Sequence, residues 1–316
     1  MIRYLLKRTA MTGGVILLVT LVVALMPHLV PGDPARVILG PRATEKQVAL
    51  VHRVMGLDDP VPVRVAKFMW NALRGDLGAD FWTRRPVRGM IGEALPHTII
   101  LALASLAFAA LLGIPLGVYS ATHPNTPADR ITGVVSVSLV TIPSYVAGLV
   151  LLLFFAVRLR LLPAMGAGDL SNPWDYLQHL ILPAAALGVS WIGYLARLVR
   201  TSLLEVLNTD YMRTARAFGL PEWLINFKYA LKNALIPSVA TLGVALGSLM
   251  GGAVFEEVIF ARPGMGMLIY TGINTRNYPV VQGSVLVVAL LFVAGNFLAD
   301  ISYSYLDPRI RREGLQ

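Results

Sequence analysis

The chain contains no cysteine and very little charge. Only 14% of its 316 residues are Asp, Glu, Lys or Arg, while 56% are hydrophobic; a soluble domain carries about a quarter charged residues, so this is an integral membrane protein. Without cysteine there are no disulfides and no thiol chemistry, and the compartment is left open. Lysine is scarce too. Lys7, Lys46, Lys67, Lys228 and Lys232 are the whole set, and none follows glycine, so the Gly-Lys-Ser/Thr loop that cradles nucleotide phosphates is missing. His28, His52, His97, His123 and His179 are scattered without metal-ligand spacing. There is no His-Glu-x-x-His, and Gly188-Val189-Ser190 is followed by Trp191 rather than the glycine of an intramembrane serine protease motif. An intramembrane hydrolase is therefore disfavoured.

What the chain does have is six long apolar runs. The first, Ala10 to Met26, follows Arg3, Lys7 and Arg8. It is too long for a signal-peptide core and lacks a small-residue cleavage site, so it reads as a retained first transmembrane helix. Five more are Thr98–Ala121, Ile131–Val157, Ile181–Val199, Ile236–Phe260 and Val280–Ser304, each able to cross about 30 Å of hydrocarbon. The net charge of +9 would suit nucleic acid, but its placement argues for topology instead. Arg130, Arg197, Arg200, Arg213, Arg216, Lys228, Lys232, Arg309, Arg311 and Arg312 fall on the N-terminal side; Arg158, Arg160, Arg262 and Arg276 fall opposite. By the positive-inside rule both termini are cytoplasmic.

Between the first two runs lies a segment of another character. Val30-Pro31-Gly32-Asp33-Pro34 signals a turn. Thr44 to Gln47 forms a capping box ahead of Val48, Val51, Val54 and Met55, with Gly56 as stop. A second amphipathic helix fits Val61 to Arg74, with Val65, Phe68, Met69 and Ala72 inward and Gly75 ending it. This is a small helical insertion outside the bilayer.

Three features inside the spans carry functional alternatives. Gly243, Gly247 and Gly251 recur every fourth residue, beside Gly252; such a ridge serves packing within the subunit, an interface with a partner subunit, or a substrate path. Glu256 and Glu257 sit near the outer end of the fifth run, where they either belong to the path or are solvated. Asp300, near the inner end of the last run, can pair with the Arg309–Arg312 tail.

After the insertion, the longest polar interruption between runs is Tyr211 to Pro237. Asn208, Thr209 and Asp210 offer N-cap oxygens, Gly219 can close a helix in the left-handed conformation, and Pro221 with Glu222 suits the start of another. The spacing predicts a two-turn helix, a kink at Gly219-Leu220 and a second helix toward Pro237. Tyr211, Ala215 and Phe218 share one face beside Arg213 and Arg216. From spacing alone this is either a loop packed on its own bundle or a knob that docks into another protein.

Arg213-Thr214-Ala215, with Gly219 four residues on and Leu235-Ile236-Pro237 downstream, resembles the cytoplasmic coupling loop of ABC importer permeases. The family pattern begins Glu-Ala-Ala; Arg213-Thr214-Ala215 in its place and the distant Pro237 look like the variant of the peptide/nickel (dipeptide/oligopeptide) branch, which works with a binding protein. Pro31-Gly32-Asp33-Pro34, Leu57-Asp58-Asp59-Pro60, Arg74-Gly75-Asp76-Leu77-Gly78 and Arg85-Pro86-Val87 extend the likeness over nearly the whole chain.

The resemblance implies an all-α permease subunit in a prokaryotic inner membrane. Residues 1–96 would be the first transmembrane helix plus the extracytoplasmic insertion. Residues 97–316 would be a five-helix permease core, with a coupling loop at 208–236 between helices four and five. It implies half of a transmembrane pathway for peptides, nickel chelates, glutathione, sugars or haem being carried by closely similar permeases. The partners it implies are a second homologous permease subunit, two ATPase subunits or one fused pair, and an extracytoplasmic substrate-binding protein. ATP and Mg would be bound by the ATPases, with no cofactor in this chain. Tyr211, Arg213, Thr214, Ala215, Arg216, Phe218 and Gly219 are the expected coupling residues. Gly243, Gly247, Gly251, Glu256 and Glu257 are candidates for packing or the pathway. A reading from a different class, an ion-coupled secondary transporter, would want paired midplane charges and an inverted repeat; neither is clear in the sequence.

Overall fold

The structure is a computed structural model that describes residues 13–25, 34–40, 43–55, 58–169 and 171–306. The terminal arginines, the turn at residues 30–33 and the Gly56 stop lie outside them. All its regular elements are helices: α1 (Gly13–Leu25), α2 (Pro34–Leu39), α3 (Glu45–Met55), α4 (Val61–Leu73), α5 (Val87–Thr122), α6 (Pro127–Thr141), α7 (Ser144–Leu151), α8 (Pro173–Leu207), α9 (Asp210–Ala217), α10 (Glu222–Leu224), α11 (Leu231–Ala234), α12 (Ile236–Ile259), α13 (Met265–Asn274) and α14 (Tyr278–Leu306). Among the described residues, α5, α8, α12 and α14 are each long and apolar enough to cross a membrane, and α1 is a shorter apolar helix.

The third apolar run is not one straight span. It breaks at Ile142-Pro143, and the two halves meet at 102°. Proline disfavours the helical region for the residue before it, and Ile142 is accordingly extended, at φ −77° and ψ 119°. Beyond the break α7 continues into a π-helical segment, Leu152–Arg158. Pro183, by contrast, sits inside α8 without ending it. A proline cannot donate to the carbonyl four residues back, here that of His179, and the Arg262 guanidinium donates to that oxygen at 3.3 Å. Arg262 is fully buried and also reaches the Tyr176 hydroxyl at 3.0 Å. Burial pushes its pKa below the usual arginine value, against the pull of Tyr176 and Glu257.

The chain forms two compact units, and their division differs from a 1–96/97–316 split. One unit holds residues 1–97 together with 263–291; the other holds 98–262 and 292–316. In the first, Val87, Ile91 and Ala94 of α5 build a buried cluster with Met265 and Val280. Those contacts place α13 and the start of α14 with the insertion. The capping box forms as expected, with Gln47 N–H donating to Thr44 Oγ1 at 3.4 Å and Thr44 N–H to Gln47 Oε1 at 2.9 Å. Val65 of α4 is buried, and its neighbour Arg64 donates to the Ala24 carbonyl of α1.

In the second unit α6, α7 and α12 pack around α8. Close backbone approach makes this possible. A Cβ added at Gly113 or Gly117 of α5 would lie 2.8 Å from the Ile192 carbonyl oxygen or 2.6 Å from that of Ala196, both on α8. The expected ridge on α12 is only partly an interface. Gly247 lies against α14, where an added Cβ would sit 3.1 Å from the Phe292 carbonyl oxygen, but Gly251 faces open space and Gly252 meets only the tip of Leu187. A fourfold spacing drifts about 40° around the axis at each step, because a turn holds 3.6 residues.

Candidate functional site

Two places in the second unit combine unusual chemistry with a defined shape. The first is the interruption after α8. Helix α9 starts at Asp210, with Thr209 as N-cap residue. Its hydroxyl does not cap; it donates to the Val206 carbonyl at 2.6 Å. At the other end Gly219 takes φ +73°. Its N–H bonds the Arg216 carbonyl at 2.9 Å, and that of Leu220 reaches Ala215 at 3.3 Å. These paired bonds form the left-handed Schellman closure for which glycine is preferred. The segment toward Pro237 is less regular than expected: α10 runs into a π-helical segment, Ile225–Ala230, then α11, and Pro237 lies in the first turn of α12.

One residue holds this knob down. Met212 is 0% exposed and packs with Val118 and Ala121 of α5, Val199, Leu203 and Leu207 of α8, and Ile225 and Ala230. Ala215, expected on the outward face with Tyr211 and Phe218, instead packs against this same cluster. Its small size is required by the knob's own seat. Tyr211 and Phe218 do face outward, at 49% and 82% exposure, with Arg213 and Thr214 exposed between them. The Tyr211 hydroxyl accepts from Asn233 Nδ2 at 3.2 Å. Arg216 reaches across the Gly219 turn to Glu222 at 2.9 Å and donates to the Leu207 carbonyl at 3.3 Å, so it braces the knob. Arg213 pairs with Asp210 at 3.2 Å on the exposed side. Tyr211, Phe218, Arg213 and Thr214 thus form an outward, half-apolar surface on a rigidly seated two-turn helix.

The second place is the break between α6 and α7. A hollow of about 380 Å³ opens there, with Ser144, Ser190, Trp191 and Ser248 among its walls. Gly252 also lines it, one helical turn before Glu256. Neither carboxylate of the α12 pair is solvated, since both are 0% exposed. Glu257 accepts a hydrogen bond from Thr98 Oγ1 at 2.5 Å. Neither oxygen of Glu256 has a hydrogen bond of good geometry, and the neighbouring donor group is the Ser144 hydroxyl of α7. It is pressed against α7 at Gly148, where an added Cβ would lie 2.5 Å from its Oε2. A buried carboxylate without a well-placed donor is costly, and inside a membrane protein it marks a functional position by default. Sequence spacing singled out the pair but could not show that one member is satisfied and the other is not. Gly243 is partly buried, and it is neither among the residues lining the hollow nor in the Met212 cluster. Among the described residues no cluster of His, Asp and Glu could hold a metal ion.

Comparison with known proteins gives the arrangement a context. Residues 113–312 match the family described as binding-protein-dependent transport system inner membrane component, and residues 1–102 match the N-terminal region of the same membrane components. A probable peptide ABC transporter permease of Sinorhizobium fredii is 37% identical over 98% of this chain and 99% of its own length. A glutathione transport system permease of Salmonella paratyphi A is 38% identical with the same coverage. A probable D,D-dipeptide transport system permease of Escherichia coli is 39% identical over 94% of each chain. Among solved structures, an inward-facing form of the MetNI methionine ABC transporter superposes with a TM-score of 0.55 at 18% identity. That match covers 69% of this chain and 96% of the other, and it bears on the fold alone. The chain belongs to the binding-protein-dependent transport system inner membrane components, as a peptide-branch permease of the ABC importers.

Proposed function

We propose that this chain forms half of a transmembrane pathway for short peptides, driven by ATP hydrolysis on separate ATPase subunits. The observation that carries the reading is the knob: a helix seated on the bundle by Met212 that turns Tyr211 and Phe218 outward. Two aromatic rings flanking exposed Arg213 and Thr214 on one seated helix make a half-apolar surface suited to a protein partner. The outward face docks into an ATPase subunit, and movement of that subunit reaches α8 and α5 through the Met212 cluster. The spans then switch between inward- and outward-open arrangements. A second permease subunit completes the path, and an extracytoplasmic binding protein delivers substrate. Both termini are cytoplasmic, by the charge asymmetry of the loops. The hollow at the α6–α7 break, with its serine hydroxyls, belongs to the path. Peptides are the class shared by the relatives' names, glutathione being a tripeptide.

Reconstitution tests this. The chain is assembled in proteoliposomes with its neighbouring permease, ATPase and binding-protein chains and offered di- to pentapeptides, glutathione, a nickel chelate, a sugar and haem. Expected are peptide uptake that requires ATP, and no ATP hydrolysis by the isolated chain. Uptake driven by an ion gradient without ATP, or turnover by the chain alone, would overturn the reading.

A further inference from the structure

A hollow of about 500 Å³ lies between the start of α6 and the second half of α8. Three guanidiniums line it, those of Arg130, Arg197 and Arg200, against the single carboxylate of Asp129. That carboxylate is already committed. Arg200 donates to it twice, Nε to Oδ1 at 2.7 Å and Nη2 to Oδ2 at 2.9 Å. Ser120 Oγ donates to Oδ1, and the Asn125 N–H to Oδ2 at 3.0 Å. Asp129 and Arg200 are therefore a closed pair, fixed by bidentate geometry. Arg130 and Arg197 are exposed, and among the described residues no carboxylate lies within ion-pair distance of either.

The walls continue the argument. Along α6 from Arg130, the same face carries Val134 and then Val137, exposed at 67% and 49%, and Val137 itself lines the hollow. Seven residues span roughly 10 Å of helix. The site therefore offers two unneutralised cations at one end and an apolar strip running away from them. A water-soluble anion would use only the first half.

We propose that this hollow binds the headgroup of an anionic phospholipid, its phosphodiester between Arg130 and Arg197 and an acyl chain along Val134 and Val137. The assignment rests on the membrane placement proposed above, which puts these arginines at the cytoplasmic boundary, where basic pockets between transmembrane helices take acidic headgroups. It does not depend on the transported substrate, so its failure and that of the transport reading are separable.

The test is lipid retention during stepwise delipidation in detergent. The purified full chain is loaded with equal amounts of phosphatidylglycerol and phosphatidylcholine, and the lipids that remain are quantified by native mass spectrometry. Expected is a preference for phosphatidylglycerol on the order of tenfold, lost in the double variant R130Q/R197Q and kept in R130K/R197K, with Asp129 and Arg200 untouched in both. Inorganic phosphate should not displace the lipid. Equal retention of the two lipids by the wild type overturns the proposal whatever the variants do. So does displacement by phosphate alone, an unchanged preference in the Gln variant, or loss of the preference once the second permease subunit is bound, which would make this face a subunit contact.

Discussion

Glu256 and Glu257 are adjacent, identical and equally buried, yet they call for opposite experiments. Thr98 donates to Glu257 at 2.5 Å, so Thr98→Val removes a hydrogen bond to a buried carboxylate, a loss of about 1.5–3 kcal/mol for a hydrogen bond to a charged group. The melting temperature in detergent should fall. Glu256 has no donor so well placed, and Glu256→Gln keeps its shape while removing the group that is costly to bury. That variant should melt no earlier than wild type but transport more slowly, since the position is proposed to serve the path rather than the fold. A lower melting point with unchanged transport would reverse the assignment. Not all of this scale was open to sequence reading. The pair of glutamates stood out as charge in an apolar run, but Met212 did not, because one methionine among polar residues carries no signal until the surrounding cluster is known. Asp129 and Arg200 lie 71 residues apart, and no periodicity joins them.

At the scale of elements, the knob was legible because its punctuation is local: a glycine that must turn left, a proline two residues on, and two arginines set between two aromatic side chains. Gly219 at φ +73° has open space around it, so Gly219→Val fails on backbone strain rather than on a clash, at roughly 1–3 kcal/mol. It should tilt the knob and leave the spans intact. Ala215→Asp acts by another route than Gly219→Val. It places a charge against the Met212 cluster and should unseat the knob from its own bundle. Both variants should insert into the membrane and lose coupled transport, measured beside ATPase activity and co-purification of the ATPase. Wild-type values for both would make this stretch an ordinary loop. Gly247→Leu drives a branched side chain against the backbone of α14, and overpacking of this kind costs about 1–3 kcal/mol. Gly251→Leu, facing open space, is the control that should be silent for stability. The break at Pro143 was not legible, because apolar composition continues straight through it and transmembrane helices tolerate proline. Pro183 shows that tolerance, and the outcome depends on whether a neighbour satisfies the freed carbonyl.

For the molecule as a whole, the membrane class and the family likeness followed from composition and motifs. The grouping of residues 263–291 with the insertion did not, since it rests on contacts between segments far apart in the chain. Topology remains the most direct global test. A cysteine introduced at Asn226 should be labelled only from the cytoplasmic side and one at Ala79 only from the opposite side, and labelling of both from one side would overturn the orientation. That test is clean because the protein has no cysteine of its own. The proline within α8 bears on how motion would cross this membrane. From Pro183 to Leu207 the helix extends roughly 36 Å, and from Pro183 back to Pro173 roughly 15 Å. If Pro183 serves as the fulcrum, with Arg262 gripping the His179 carbonyl as its bearing, α8 is a lever with unequal arms. A swing imposed at the knob arrives at the far end geared down to less than half its amplitude, with correspondingly greater force.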